Sequence, residues 1–514
     1  MEKKQAFNPY LPSYEYVPDG EPHVFGDRVY IYGSHDRFGS AGFCLNDYVC
    51  YSASVKNLTE WSYEGVIYKK EQDPRNQNIP EDAPKQILLF GIEPEKEEDL
   101  NPRGIHAQWA PDVVQGPDGR FYLYYCLDFL PEIGVAVSDI PAGKYKFLGF
   151  VKHKNGTVLG TGEKDLVQFD PGVFMDNDNI YLYSGNAPMK PEHEDGKHAS
   201  QVMELMHDML TLKAEPKRLL PSITSSIGTG YEEHEFFEAS SIRKINNKYY
   251  LIYSSVKSSE LCYAVSDRPD SGYQYGGTLI DIGDIALNGR TVDNALNALG
   301  NTHGGIEMID GQWYIFYHRQ TDRTNYSRQG CAEKITIDHN GRIAQVEVTS
   351  CGLNQGPLLD DGVYPARICC HLTGKKGVTQ SHPQAMKMDY PFLTQDVHDI
   401  EPDSEEAKKE SQLPIQYIKN IQNGTIIGYK YFRFKGANKI KLQIRGYAEG
   451  FVWIQNSLEA KESSCGNITL KVASRDWTEL EGIVDFELGV HSLYLKFEGV
   501  GSFDFLTFTL EKVD

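Results

Sequence analysis

The stretch WAPDVVQGPDGRFYLYY (109–125) decides the fold, because it is one of five versions of a single pattern. A polar residue precedes a short apolar strand, a turn follows, and an alternating aromatic run returns. The run recurs as DRVYIYGS (27–34), DNIYLYSG (178–185), NNKYYLIYSS (246–255) and DGQWYIFYH (310–318), with Tyr30, Tyr122, Tyr181, Tyr250 and Tyr314 in matching places. Shorter alternating stretches such as GVAVSD (134–139) and LCYAVSD (261–267) lie between these runs. Helical periodicity is nearly absent. Several short strands per unit, repeated five times, predict a five-bladed β-propeller over residues 1–355. The long first interval holds a Pro- and acid-rich insertion at 69–104, expected as a loop over one face.

Composition agrees with an all-β chain. Aromatic residues make up 12 % of the 514, with 47 Gly and 25 Pro. Apolar residues at 40 % suffice for real cores. The formal charge of −21 repels polyphosphate, which argues against nucleic acid and anionic membranes as partners but leaves neutral substrates open. MEKKQAFNPY has no apolar run behind its lysines, and no 18-residue apolar stretch occurs. A cytoplasmic protein is expected, with its nine cysteines reduced and mostly buried.

Going back 10 to 12 residues from each marker tyrosine gives Asp19, Asp112, Asp170, Glu238 and His303. If the strands that follow are innermost, the five side chains converge at the mouth of the central channel. Carboxyls that close cannot all ionise freely, so their pKa values separate, as paired acid and base chemistry needs. Singly, each Asp reads equally as a turn or cap residue. His303 reads as structural, as a metal ligand, or as a group that positions a sugar hydroxyl.

Beyond Leu353 the repeat fades. Residues 356–383 are expected as a connector. From 384 to 514 period-two runs, among them IIGYKYFRF (426–434), KIKLQIRGY (439–447), HSLYLKF (491–497) and FDFLTFTL (503–510), predict a β-sandwich of jelly-roll type. The polar stretch 399–410 reads as a solvated loop.

The motifs NPYLPSYEYVPDGEPHVFGDRVYIYGSHD, WAPDVVQGPDGRFYLYY, FDPGVFMDNDNIYLYSG, FFEASSIRKINNKYYLIYS and HGGIEMIDGQWYIFYHR, in this order, resemble glycoside hydrolase family 43. The resemblance implies a five-bladed propeller that removes arabinofuranose or xylose from plant saccharides by inversion. It implies Asp19 as general base, Glu238 as general acid and Asp112 as the third carboxyl, which tunes the acid. Asp170 would contact sugar hydroxyls or cap its Asp-Pro-Gly turn. His35, Asp36, Trp109 and Arg319 lie beside the motifs and are candidates to line the sugar pocket, or to pack near it. His303 matches an axial histidine that sits beside calcium in many members. Glu238 is followed by Ala239-Ser240, where many members have Gly-Pro or Ala-Pro.

NGTIIGYKYFRFKGANKIKLQI and HSLYLKFEGVGSFDFLTF resemble carbohydrate-binding module family 6, which implies sugar binding through exposed aromatics (Trp453, Trp477 or Tyr447) or a buttressing role, and a structural calcium. The expected activity is α-L-arabinofuranosidase, with β-xylosidase second, on imported oligosaccharides. The rivals are a glycan-binding propeller without catalysis and a retaining fructan hydrolase. The first would lose one of the three carboxylates, and none is lost. A Trp-Asp repeat scaffold lacks its dipeptide signature here, and no phosphate-cradling Gly-rich loop, Ser-His-Asp arrangement or zinc-ligand spacing occurs.

Overall fold

The structure, a computed structural model, describes residues 4–83, 100–378, 390–397, 413–458 and 464–513. The solvated loop expected at 399–410 and the expected domain start at 384 lie outside these residues, as does the middle of the 69–104 insertion. Five antiparallel sheets follow one another along the chain. Blade 1 is β1 (Glu21–Phe25), β2 (Arg28–Tyr32), β3 (Tyr48–Ser54) and β4 (Asn57–Tyr68). Blade 2 is β5 (Gln108–Gln115), β6 (Phe121–Leu127), β7 (Ile133–Ser138) and β8 (Lys146–Phe150). Blade 3 is β9 (Gly172–Asp176), β10 (Asn179–Ser184), β11 (Gln201–Leu205) and β12 (Lys217–Arg218). Blade 4 is β13 (Phe236–Ile245), β14 (Lys248–Ser255), β15 (Glu260–Ser266) and β16 (Gln274–Asp281). Blade 5 has three strands, β17 (Ile306–Ile309), β18 (Gln312–Gln320) and β19 (Arg328–Ile335).

The first strands form the inner ring. β1 touches β5, β5 touches β9, β9 touches β13, β13 touches β17, and β17 returns to β1. Alternation then explains the cores. On β2, Val29 and Ile31 face blade 5 while Tyr32 faces blade 2, so one strand feeds two inter-blade clusters. The other three interfaces are built likewise, with Tyr122, Tyr183 and Tyr250 buried in them. The aromatic runs are core.

The N-terminal segment closes the ring. The Tyr10 N–H donates to the Gly330 carbonyl (3.2 Å), while Asn8 exchanges side-chain hydrogen bonds with both backbone groups of Ala332 (3.0 Å each) and donates to Glu333 (2.8 Å). Asn8 is fully buried, so Asn8→Ala takes the partner from the Ala332 N–H and carbonyl, while Glu333 keeps its bonds from Thr349. A loss of about 2–4 kcal/mol in unfolding free energy is expected, read as a lower denaturant midpoint.

The segment expected as a connector does more than link. β20 (Leu358–Leu359) and β22 (His371–Thr373) pair with β25 (Ile426–Phe434), and β21 (Gly362–Pro365) pairs with β28 (Gly489–Glu511). The C-terminal sheet therefore begins near residue 358. It is completed by β23 (Phe392–Gln395), β24 (Gln416–Ile421), β26 (Lys439–Gln455) and β27 (Ser464–Ile483). Along β26 strand alternation sends Ile440, Leu442, Ile444, Val452 and Ile454 into one core. Lys430 joins this sheet to the propeller, donating to Glu347 (2.9 Å) and Asp284 (3.4 Å). All nine cysteines are free, and among the described residues no helix is long and apolar enough to cross a membrane.

Candidate active site

One cavity of about 1180 Å³ opens at the end of the inner strands. Its wall includes Asp19, Asp170, Glu238, His303, Trp109 and Arg328. The backbone is left-handed at Asp19 (φ 56°), Ala110 (φ 22°), Asp170 (φ 43°) and Ala239 (φ 69°), at the head of the inner strand in four successive blades. Non-glycine residues held there cost of the order of 1–3 kcal/mol each, a strain concentrated at sites of function. Glu238 precedes Ala239, and the β13–β14 register slips on both sides of it. Such a bulge re-aims a side chain, and here it brings Glu238 to the cavity.

Asp112 is not in that wall, and the strand register gives the reason. Glu21 pairs with Tyr32, Asp112 with Tyr124 and Gly172 with Tyr183. Asp112 is thus the counterpart of Glu21, two residues (about 7 Å) below the ring of Asp19 and Asp170. The counterpart of Asp19 in blade 2 is Ala110. Counting back from the marker tyrosine misleads because Tyr30 pairs with His23 but Tyr122 with Val114, one residue further back along the chain. In its actual place Asp112 fastens inner strands: it accepts from the Val173 N–H (2.6 Å) and lies 2.6 Å from His23 Nε2. Around it Ser241 donates to Glu21 (2.6 Å) and Arg243 pairs with Glu21 (2.9 Å), which fills the channel below the cavity.

The electrostatics of the wall separate its carboxyls. Burial opposes ionisation of Asp19, but the Arg328 guanidinium 3.1 Å away, aided by His318 at 3.2 Å, holds it well below the usual carboxylate range. Glu238 goes the other way: burial, then the Asp19 charge, push it up to about 8. Asp170 is raised by burial and by Glu238. His303 Nδ1 stands 3.5 Å from Asp170 and 4.0 Å from Asp19, and burial lowers its pKa to about 4, so it is neutral at pH 7.

Arg328 and His318 escaped the sequence reading. Arg328 is clamped by Asp36, whose carboxylate accepts from its Nε and Nη2 (2.9 Å each), and it lies over the Phe43 ring at 4.7 Å. Asp36 thus acts behind the wall, through Arg328. For HisArg at 318–319 the reading took the wrong neighbour: strand alternation sends His318 to Asp19, whereas Arg319 points away and donates to the Cys369 carbonyl (2.7 Å). His35 is also outside the cavity; its Nδ1 donates to the Asp47 carbonyl (2.9 Å), with Glu15 3.5 Å from Nε2. Trp109 does line the cavity, boxed edge-on by Phe43, Phe129 and Phe169.

A family model described as Glycosyl hydrolases family 43 matches residues 91–343. A xylosidase/arabinosidase from Thermoclostridium stercorarium is 45 % identical over 514 residues, covering 99 % of both chains. The chain belongs to glycoside hydrolase family 43. A xylosidase/arabinosidase from Bacteroides ovatus is 29 % identical over 66 % of this chain and 97 % of its own. The GH43_1 enzyme from Xanthomonas citri, solved complexed with xylotriose, is 22 % identical with a TM-score of 0.49, over 67 % of this chain and 93 % of that one.

In this family 43 enzyme His303 and His318 are the imidazoles that stand beside Asp19, and only His303 is in the cavity wall. Calcium takes six to eight oxygen ligands, backbone carbonyls and waters included. Asp19 is already paired with Arg328. Among the described residues the sets of three clustered ligating groups are His234/Glu260/Cys262 and Glu21/His23/Asp112; neither includes His303 or lies in the C-terminal sheet. In that sheet Trp477 packs on Tyr417 under Arg445, whereas Tyr447 is exposed and Trp453 donates to Glu498 (2.9 Å).

Proposed function

We propose that this glycoside hydrolase releases terminal arabinofuranose or xylose from plant-derived oligosaccharides with inversion, using Asp19 as base, Glu238 as acid and Asp170, in place of Asp112, as the third carboxyl. The observation that carries the reading is the opposite displacement of two carboxyls in one cavity, Asp19 held ionised and Glu238 raised to about 8. Asp19 takes a proton from water as the water oxygen bonds to the anomeric carbon. The bond from that carbon to the leaving oxygen breaks, and Glu238 delivers its proton to that oxygen. Inverting pairs stand roughly 6.5–9.5 Å apart to admit the water. An origin in blades 1 and 4, which are not neighbours in the ring, suits that gap. Asp170 and Glu238 repel each other as anions and titrate as a pair, which keeps a proton available near neutral pH. His303 is neutral there, and Arg328 holds the charge of the base. No step passes through a metal.

The test is hydrolysis of 4-nitrophenyl α-L-arabinofuranoside and 4-nitrophenyl β-D-xyloside side by side, with Asp19→Asn as control. Release lost in the control supports the reading; silence on both sugars contradicts it. Asp170→Asn should lower kcat at least roughly tenfold, because the carboxyl that shares the wall with Glu238 and faces His303 is lost. Asp112→Asn should instead lower Tm through its lost strand contacts and keep turnover. The reverse pattern would return Asp112 to the site.

A further inference from the structure

We propose that Gln416 of the C-terminal sheet is a positioning residue for hydrolysis: through Tyr16 and Gln329 it fixes the two segments that bring Asp19 and Arg328 together, so that the propeller needs this sheet for a working base. The inference deepens the glycosidase reading above and rests on it.

The contact is a buried polar cluster. Gln395 on β23 and Gln416 on β24 are cross-strand partners, and both reach the propeller. The Tyr16 hydroxyl donates to Gln395 Oε1 (2.8 Å) and accepts from Gln416 Nε2 (2.9 Å), which also donates to Gln329 Oε1 (3.0 Å). Gln329 Nε2 turns back to the N-terminal segment and donates to the carbonyls of Ser13 (3.1 Å) and Glu15 (3.0 Å). All four side chains are buried, Tyr16 completely. Gln416 Oε1 has no partner, so an apolar side chain of the same shape would avoid a desolvation cost that Gln416 carries. What the amide supplies is order, because a buried hydrogen-bond network rigidifies the segments that meet in it.

Both of those segments lead to the base. Asp19 lies three residues beyond Tyr16 along the chain, at its left-handed turn (φ 56°). The Tyr16 carbonyl accepts from the Asp36 N–H (2.9 Å), and Asp36 is the carboxylate that clamps Arg328. Gln329 follows Arg328 directly on β19, and alternation sends the Arg328 side chain to Asp19 and the Gln329 side chain to Gln416. Gln416 thus grips both carriers at once while standing outside the cavity wall itself. Asp19 is faced by Arg328, His318 and His303, with Glu238 and Asp170 in the same wall. Without the Gln416 bonds the two carriers loosen, the Asp19–Arg328 contact lengthens, and the carboxylate loses the partner that keeps it ionised.

The test compares Gln416→Met and Tyr16→Phe, which keep the bulk and remove the hydrogen bonds, in the full chain. Lys430→Met is the control, because Lys430 joins the same sheet to the propeller through Glu347 and Asp284. Kinetics are read on the two 4-nitrophenyl pentosides over pH 3–9, with Tm for each variant. We expect both network variants to lower kcat about fivefold to fiftyfold with KM within about twofold, as a displaced base requires. An acid limb that the wild type lacks should appear in their kcat/KM between about pH 4 and 6, as Asp19 returns toward an ordinary carboxylate. Lys430→Met should lower Tm and show neither change. Tyr16→Phe loses one oxygen only and decides the matter if Gln416→Met does not fold. Wild-type kcat without an acid limb in a network variant, or the same kcat loss and limb in Lys430→Met, would overturn the proposal. Wild-type turnover that is lost in Asp19→Asn keeps the glycosidase reading whichever way the network variants fall; no hydrolysis of either pentoside by the wild type overturns both.

Discussion

Asp19→Asn is expected to lower kcat by roughly 10²–10⁴-fold, the range for loss of a positioned general base, with KM changed only a few-fold. The carboxylate is buried, bonded to Arg328 and close to His318, so its geometry should survive the isosteric change while its basicity does not. The variant also leaves the Arg328 charge with Asp36 alone as its carboxylate partner. Because Arg328 holds the wild-type carboxylate ionised below the usual range, wild-type kcat/KM should show no acid limb from Asp19 within pH 3–9. Measurement with both 4-nitrophenyl glycosides across pH 3–9 checks this, and near-normal turnover would remove Asp19 from the role of base.

Glu238→Gln carries the other large effect, and its signature is selectivity. Substrates with poor leaving groups need the proton and should lose roughly 10²–10⁴-fold; a 4-nitrophenyl leaving group needs it less and should lose far less. Equal losses on both would contradict the acid role. The wild-type alkaline limb should fall near pH 8, where Glu238 ionises, and should be absent in the variant. Stability follows the same group. Its folded pKa lies above the unfolded value, so its contribution is fully present below the unfolded pKa and is lost as pH rises through about 8. The difference in Tm, variant minus wild type, should therefore grow from pH 6 to pH 9.

Much of this was readable from the chain because a propeller repeats its signals. A strand flanked by two inter-blade cores must alternate, and five aromatic runs in register announce five such strands. Asp19, Asp170, Glu238 and His303 could be picked out because each heads an inner strand. Asp112 was misplaced by a difference in hairpin pairing that moves a side chain one pleat along the axis while keeping it on the same face. Sequence adjacency hides the alternation that sends His318 and Arg319 to opposite sides of β18. Arg328 carried no signal: it lies in YSRQG, with no repeat counterpart, and its importance comes from Asp36 and Asp19, both some three hundred residues upstream. Strands β20–β22 are too short to show a period and are specified by their partners in β25 and β28.

The measurement that bears most directly on the account is proton NMR of the first product formed from a β-D-xyloside, taken before mutarotation equilibrates the sugar. An Asp19 base and a Glu238 acid with water between them produce α-xylose first, with the β anomer appearing only later. β-Xylose as the first product would mean a covalent glycosyl intermediate, a carboxylate acting as nucleophile, and no place for the water that this arrangement is built to activate.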